Sequence, residues 1–416
     1  MREALLAAVD ARLPTLPAIA SALIRAASPN PPLDTSAVAD TASALIRLHV
    51  PAAEVALHEG GEGVVNVVAR LRGNGPGRRV VLSGHLDTYP VNEALPWTVD
   101  PLGGLVRAGR IYGRGAADMK GGIAASIAAL GGLADTARHW PGEVVLTLGG
   151  DEESMGGRGT QWLLDNVPHA RGDAVIIGDA GSPGVIRFGE KGFLWVTVDA
   201  VGQPAHGAHV HRGINAIDRL RAALDALVGL RAILPDSPAE VVAAIAAAHA
   251  TSEALSGVGE SHTLSTVTVN IGQFHGGTSL NLIPASAKAG IDIRLPVGVS
   301  AGMVERQITN VLGGMEGIGW TVLRKVEPTY TAPGAAITRA VLAAATAVLG
   351  HAPALNMRVG GSDARLFRAA GIPTIVYGPT PYNMGGADEY AELSELEAVA
   401  RVHGLAALMF LLGPDV

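Results

Sequence analysis

The chain has no cysteine in its 416 residues. Disulfides, thiol nucleophiles and thiolate-bound metals are therefore excluded, and any metal must take nitrogen and oxygen ligands from the 13 histidines and the acids. Aromatic residues make up only 4% and charged residues 17%, with 31 Lys and Arg against 38 Asp and Glu. A net charge of −7 and the lack of any basic stripe give no electrostatic case for nucleic acid or an anionic membrane. The amino-terminal MREALLAAVDARL mixes charge into its apolar pattern and lacks the uninterrupted core of a signal peptide. No stretch reads as long and apolar enough to span a bilayer, and the expected location is the cytoplasm.

What is present is a chain 48% hydrophobic, rich in Ala, Val and Gly, and long enough for two cores. Apolar residues recur at helical spacing over 2–28, and PNPPLD then breaks the pattern before a helix at 35–48. Strands at 54–58, 64–71, 79–84, 143–149 and 174–178 alternate with helices at 120–134 and 157–166, the rhythm of a largely parallel sheet with helices on its faces. The rhythm then changes to strand 193–201, helix 213–231, strands 263–274 and 286–295, helix 300–312 and strand 319–327. That βαββαβ order is the ferredoxin-like unit, here with an Ala-rich piece, 236–258, inserted after its first helix. Near Pro333 the αβ alternation resumes. The expected division is 1–190 with 331–416 as one domain and 191–330 as a second that interrupts it.

Three stretches carry the chemistry. VVLSGHLDTYPV ends an apolar strand in His85 and Asp87, and side chains two apart on an extended segment share a face. A metal-binding imidazole needs an acceptor for its other ring N–H, which Asp87 can supply directly or through the fold. Taken alone, the pair also reads as a strand-end His beside a solvated Asp. In GRGAADMKGG, Asp118 precedes a small-residue helix, where a crowded carboxylate needs a cation or donors. LTLGGDEES delivers Asp151, Glu152 and Glu153 together at a strand end, where they repel one another unless positive charge intervenes. Asp179 likewise ends an apolar strand. Together these residues point to one metal site on the rim of an α/β sheet.

With these residues in view, the chain resembles the co-catalytic dizinc metallopeptidase and amidohydrolase family that includes glutamate carboxypeptidase, succinyl-diaminopimelate desuccinylase, acetylornithine deacetylase and aminoacylase. The likeness runs through SGHLDTYPV, GRGAADMKGG, GGDEESMGGRGT, GDAG, GQPAHGAHVHRGINAI, GGTSLNLIPASAKAGIDIR, GGSDARLF and YGPTPYNMGGADEY, in order. It implies a zinc-peptidase-like α/β catalytic domain with a mostly parallel sheet, interrupted by a ferredoxin-like lid and dimerisation domain. By resemblance Asp118 bridges two metals, His85 and Asp179 complete one site, and Glu153 belongs to the other. Glu152 is then the general base and Asp87 orients His85. His206 would reach a neighbouring subunit's site to stabilise the oxyanion, although His206, His209 and His211 also read as a polar loop of exposed imidazoles. Asn281, Arg294, Gly361 and Ser362 resemble groups that bind a substrate carboxylate, which a guanidinium fork matches. A structural ion pair is the other reading of Arg294.

One departure stands out. Relatives place a ligand His four residues before the Glu of the last motif; here that Glu is Glu389 and the position holds Gly385. The outcomes are a site completed by Asn383, water or substrate, a mononuclear enzyme, or a relative turned to another reaction. The expected cofactor is a divalent metal (Zn, Mn or Co), one or two per subunit, with one site weakly held. The expected activity is hydrolysis of a C–N bond in a small carboxylate-bearing substrate such as an N-acyl amino acid or dipeptide, by a homodimer or larger homo-oligomer formed through the inserted domain. Alternatives are hydrolytic deamination of an amino-aromatic acid, of the nitroanthranilate type, with one labile metal, and a non-catalytic carboxylate-binding protein.

Overall fold

The computed structural model describes residues 1–413. They form two compact units: Met1–Phe188, Thr331–Asn356 and Ser362 onward in the first, and Gly189–Tyr330 with Met357–Gly361 in the second. In the first unit the strands lie in the order Glu54–Gly61, Val64–Arg72, Glu143–Gly149, Arg79–His85, Ala174–Ile177, Thr374–Val376 and Val185–Glu190. The four central strands are parallel, and the flanking pairs are antiparallel. Parallel pairing sets the carboxyl ends of neighbouring strands side by side, with His85 opposite Gly149 and Ser83 opposite Ile177. Whatever follows those strands must meet on one rim.

Helix Gly121–Asp135 is buried nearly all round, which its run of Gly, Ala, Ile and Leu permits. It packs against Leu393–Leu412, which also contacts Ala336–Leu349 and Arg2–Asp10. A Cβ on Gly122 would fall 1.9 Å from the Gly178 carbonyl oxygen, so only glycine lets this helix start so close to the segment that carries Asp179.

The second unit is a four-stranded antiparallel sheet in the order Thr268–Gly276, Ser286–Leu295, Gly192–Val201, Ile318–Val326. Helices Ala216–Val228 and Ala301–Leu312 cover one face, where Leu194, Val196, Leu220, Leu224, Ile291, Val304 and Ile308 form the core.

Several sequence expectations are corrected. The run Arg2–Arg25 does meet the length and composition of a membrane span. In the fold it is two helices, Arg2–Asp10 and Leu16–Arg25, parted by a 3₁₀ turn containing Pro14, and Leu5, Val9, Leu16, Ile19, Leu23 and Ile24 are buried in the protein core. The Ala-rich insertion folds as two short helices, Ala239–Ala247 and His249–Ser256. Residues 263–267, expected as strand, instead finish helix Glu260–Ser265 and lead into the strand at Thr268, because the buried Lys191 ammonium donates to the Thr263 and Thr266 carbonyls (2.5 and 2.7 Å) and caps that end. Strand Val185–Glu190 escaped notice because it runs almost continuously into Gly192–Val201.

Candidate metal centre

One ligand atom from each of His85, Asp118 and Asp179 lies within 4.8 Å of the others. His85 ends its strand, and its Nε2 stands 3.0 Å from Asp118 Oδ1. The other ring nitrogen, Nδ1, is 2.9 Å from the Asp87 carbonyl oxygen and 3.5 Å from the carboxylate Oδ1. The main-chain oxygen is thus the nearer acceptor, and a proton on Nδ1 leaves Nε2 free to act as a ligand.

The fully buried Asp87 carboxylate has a further task. It accepts the main-chain N–H groups of Glu152 and Glu153, each at 3.0 Å, and the Asn30 amide at 2.8 Å. Those bonds fix the short turn Glu152–Ser154 and so aim both glutamates. On the opposite side, Glu389 accepts the N–H groups of Ala117 and Asp118 at 3.0 and 3.3 Å. Glu389 is in turn paired with Arg114, both buried, and Arg114 also donates to the carbonyls of Gly385 and Gly386 while its guanidinium lies 5.3 Å from the Trp97 ring centroid.

The electrostatics are those of acids short of positive charge. Burial first, then Asp118, Asp87 and Asp179, push the Glu153 carboxyl up to about 8 against the pull of His85. Its Oε1 is buried without a hydrogen-bond partner. Burial also lifts Glu152 well above the usual carboxyl range; His85 opposes this, Asp363 and Glu153 add to it, and the Arg365 guanidinium, 3.7 Å from Glu152 Oε1, opposes it again. Asp363 is raised to about 6, mainly by burial. Burial pulls the His85 imidazole down, but its bonds to Asp118 and Asp87 and the charges of Asp118 and Glu152 outweigh that and lift it well above its ordinary value. An orphaned buried carboxylate oxygen beside an imidazole and crowded acids fits a divalent cation, and the donor set would suit Zn, Mn or Co.

The first unit therefore brings together His85, Asp87, Asp118, Glu152, Glu153 and Asp179. Ser362 is buried in the same unit, and its carbonyl accepts from Arg365. His206, Asn281, Arg294 and Gly361 belong to the second unit. There His206 is exposed and accepts from the Ala208 N–H, and the Asn281 side chain accepts from Ser279. Arg294 is paired with Asp292 at 2.9 Å and lies over Phe193. Asn383, weighed as a substitute ligand, donates its amide to the Asp388 carbonyl at 3.2 Å. Sequence reasoning missed Asp363, Arg365 and Arg114. The first two sit inside GGSDARLF, where two charges in an apolar surrounding were the available signal.

Without a cation, stability should decline with pH. Between the ordinary carboxyl value of 4.5 and about 8, folded Glu153 keeps a proton that the unfolded chain has released. The folded state then binds more protons, so stability falls as pH rises through that window and levels off above it. Glu152 and Asp363 shift in the same direction, and His85, raised, loses stabilising charge over the same ascent. Denaturant unfolding of metal-stripped protein should give a lower stability at about pH 8 than at about pH 5, with saturating metal flattening the slope. Equal stability at both values in the stripped protein would contradict the charge balance described.

Residues 81–408 match the model of peptidase family M20/M25/M40. The chain is 33% identical over 398 residues to a succinyl-diaminopimelate desuccinylase of Rhodospirillum centenum, covering 92% of this chain and 95% of that protein. It is 31% identical over 407 residues to one of Methylorubrum extorquens, covering 93% and 96%. Its fold is similar to an M20 family metallo-carboxypeptidase from Sulfolobus solfataricus (TM-score 0.79, 20% identity, 96% and 99% covered). It is also similar to human carnosine dipeptidase 1 (TM-score 0.76, 17% identity, 99% of each chain). On these grounds the chain belongs to peptidase family M20/M25/M40 and is a metal-dependent hydrolase of C–N amide bonds.

Proposed function

We propose that this hydrolase cleaves the amide of a small N-acyl amino acid or dipeptide-like substrate that carries a free carboxylate. The observation that carries the reading is the Glu152–Ser154 turn, pinned by Asp87 beside the donors of His85, Asp118 and Asp179. Succinyl-diaminopimelate, the substrate in the names of the similar desuccinylases, is the first compound to test. In this reading His85, Asp118, Asp179 and Glu153 would hold a divalent cation. When bound, such a cation lowers the pKa of water and polarises the scissile carbonyl. Glu152 takes a proton from the attacking water at its carboxylate and delivers it to the leaving nitrogen. Arg365 opposite keeps that carboxylate oriented. Substrate binding by Asn281, Arg294, Gly361 and Ser362 and oxyanion stabilisation by His206 are parts of the same proposal and rest on the motif likeness; a cytoplasmic location is proposed beside them. For Arg294 the substrate carboxylate would have to compete with Asp292.

Activity should require added Zn, Mn or Co, and Glu152→Gln should lower kcat by about two to four orders of magnitude while metal content is kept. Steady-state kinetics with elemental analysis reads both. Metal loss with a nearly normal rate would mean that Glu152 and Glu153 have exchanged roles. Ammonia as the sole nitrogen product, with no second organic fragment, would move the reaction from amide cleavage to deamination.

We further propose assembly through the second unit. Its edge strand Thr268–Gly276 has one paired side and exposes Ile271 and Phe274, a surface suited to a second copy. Sizing of the active protein should give a dimer or larger species, and His206→Ala should reduce kcat. A strictly monomeric active species would refute action of His206 across subunits.

A further inference from the structure

On the second unit's sheet, Leu194, Val196, Ile291 and Ile293 belong to the core beneath the helices, so the alternate residues Phe193, Trp195, Asp292 and Arg294 point to the opposite face. The antiparallel register sets Arg294 directly across from Phe193 and Asp292 directly across from Trp195. The Arg294 guanidinium is fixed on two sides. Its Cζ lies 4.9 Å from the Phe193 ring centroid, and its Nε lies 2.9 and 3.0 Å from the two Asp292 carboxylate oxygens. Asp292 is held in turn by the Trp195 indole N–H, 3.1 Å from Oδ1. The Trp195 ring packs on Phe193 with centroids 5.3 Å apart, and Arg324, its cross-strand neighbour on Ile318–Val326, lies 5.7 Å from that ring.

This scaffold engages Arg294 through Nε alone. Among the described residues no hydrogen bond uses its two terminal nitrogens, and the side chain keeps 28% of its surface exposed. A substrate carboxylate therefore competes with Asp292 for charge and not for the Nη1–Nη2 edge, where it can accept two parallel bonds. The ring that carries the guanidinium also adjoins Gly361, since a Cβ there would stand 3.7 Å from Phe193 Cε1. We propose that Asp292, Phe193 and Trp195 are positioning residues that present the Nη1–Nη2 edge of Arg294 to the substrate carboxylate. This rests on the reading of Arg294 as a carboxylate-binding group given above. An arginine side chain loses rotamer freedom when it binds, and one already held in a single plane loses less. The negative charge of Asp292 by itself opposes an incoming anion, so its benefit lies in geometry. A contact that only neutralised Arg294 would weaken carboxylate binding instead.

The test uses the metal-loaded full-length protein with succinyl-diaminopimelate or, if it is turned over faster, an N-acetyl amino acid, and with derivatives in which one carboxylate at a time is a carboxamide. The quantity read is the KM of each carboxamide divided by that of the acid. For one derivative the wild-type ratio should be at least about tenfold, and Arg294→Ala should bring it near one. Asp292→Ala should cut the ratio by about threefold or more, through a higher KM for the acid, while kcat and the KM of the carboxamide stay close to wild type. Asp292→Asn keeps an oxygen for Nε and should restore the ratio. Trp195→Phe removes the donor that holds Asp292 and should lower the ratio less than Asp292→Ala does. If Asp292→Ala leaves the KM of the acid unchanged or lowers it, or raises acid and carboxamide equally, the positioning role is overturned alone. A wild type that hydrolyses none of the acids or distinguishes no carboxylate, or a ratio unchanged in Arg294→Ala, overturns the carboxylate reading and this one together.

Discussion

The structure turns on a concentration of acids at one sheet rim. Asp87, Asp118, Glu152, Glu153, Asp179 and Asp363 are gathered around the His85 imidazole and the Arg365 guanidinium. Left to themselves, Glu152 and Glu153 hold protons above the ordinary carboxyl range, and one Glu153 oxygen has no hydrogen-bond partner. Folding thus stores an electrostatic demand that a divalent cation meets, and this demand links stability, metal binding and catalysis.

The remainder of the first unit serves to hold that arrangement. Parallel strands align His85, the Glu152–Ser154 turn and Asp179, while Gly122 lets the buried helix Gly121–Asp135 start against Gly178. Two carboxylates then act through the backbone rather than through a ligand: Asp87 on the N–H groups of Glu152 and Glu153, and Glu389 on those of Ala117 and Asp118. Each buried acid that binds main-chain donors makes the position of a neighbouring acid insensitive to its own side-chain freedom. The Arg114–Glu389 pair extends this to the loop that contains Gly385.

Much of this was legible in the sequence because the determinants are local. Apolar β-branched runs ending in His85, Gly149 and Gly178 announced the strands, and the acids directly after them announced the rim. The order strand, helix, two strands, helix, strand likewise announced the second unit's sheet. The parts that were not legible depend on partners far apart in the chain. The pairing of Arg114 with Glu389 spans 275 residues, and Thr160 donates to Asp363 across 203. The helix Glu260–Ser265 was misread because its stop is a buried lysine more than 70 residues earlier, at Lys191. Asp87 was read as the partner of the His85 ring, and its Oδ1 lies 3.5 Å from Nδ1; that the same carboxylate also accepts from the Glu152–Ser154 turn was not legible.

The most direct test of the central claim is anomalous diffraction from crystals of the full chain grown with Zn(II) or Mn(II), recorded on either side of the metal's absorption edge. The account predicts that the strongest anomalous peak lies among His85 Nε2 and the carboxylates of Asp118 and Asp179. A saturated crystal with no peak there, or with its strongest peak on another cluster, would contradict it.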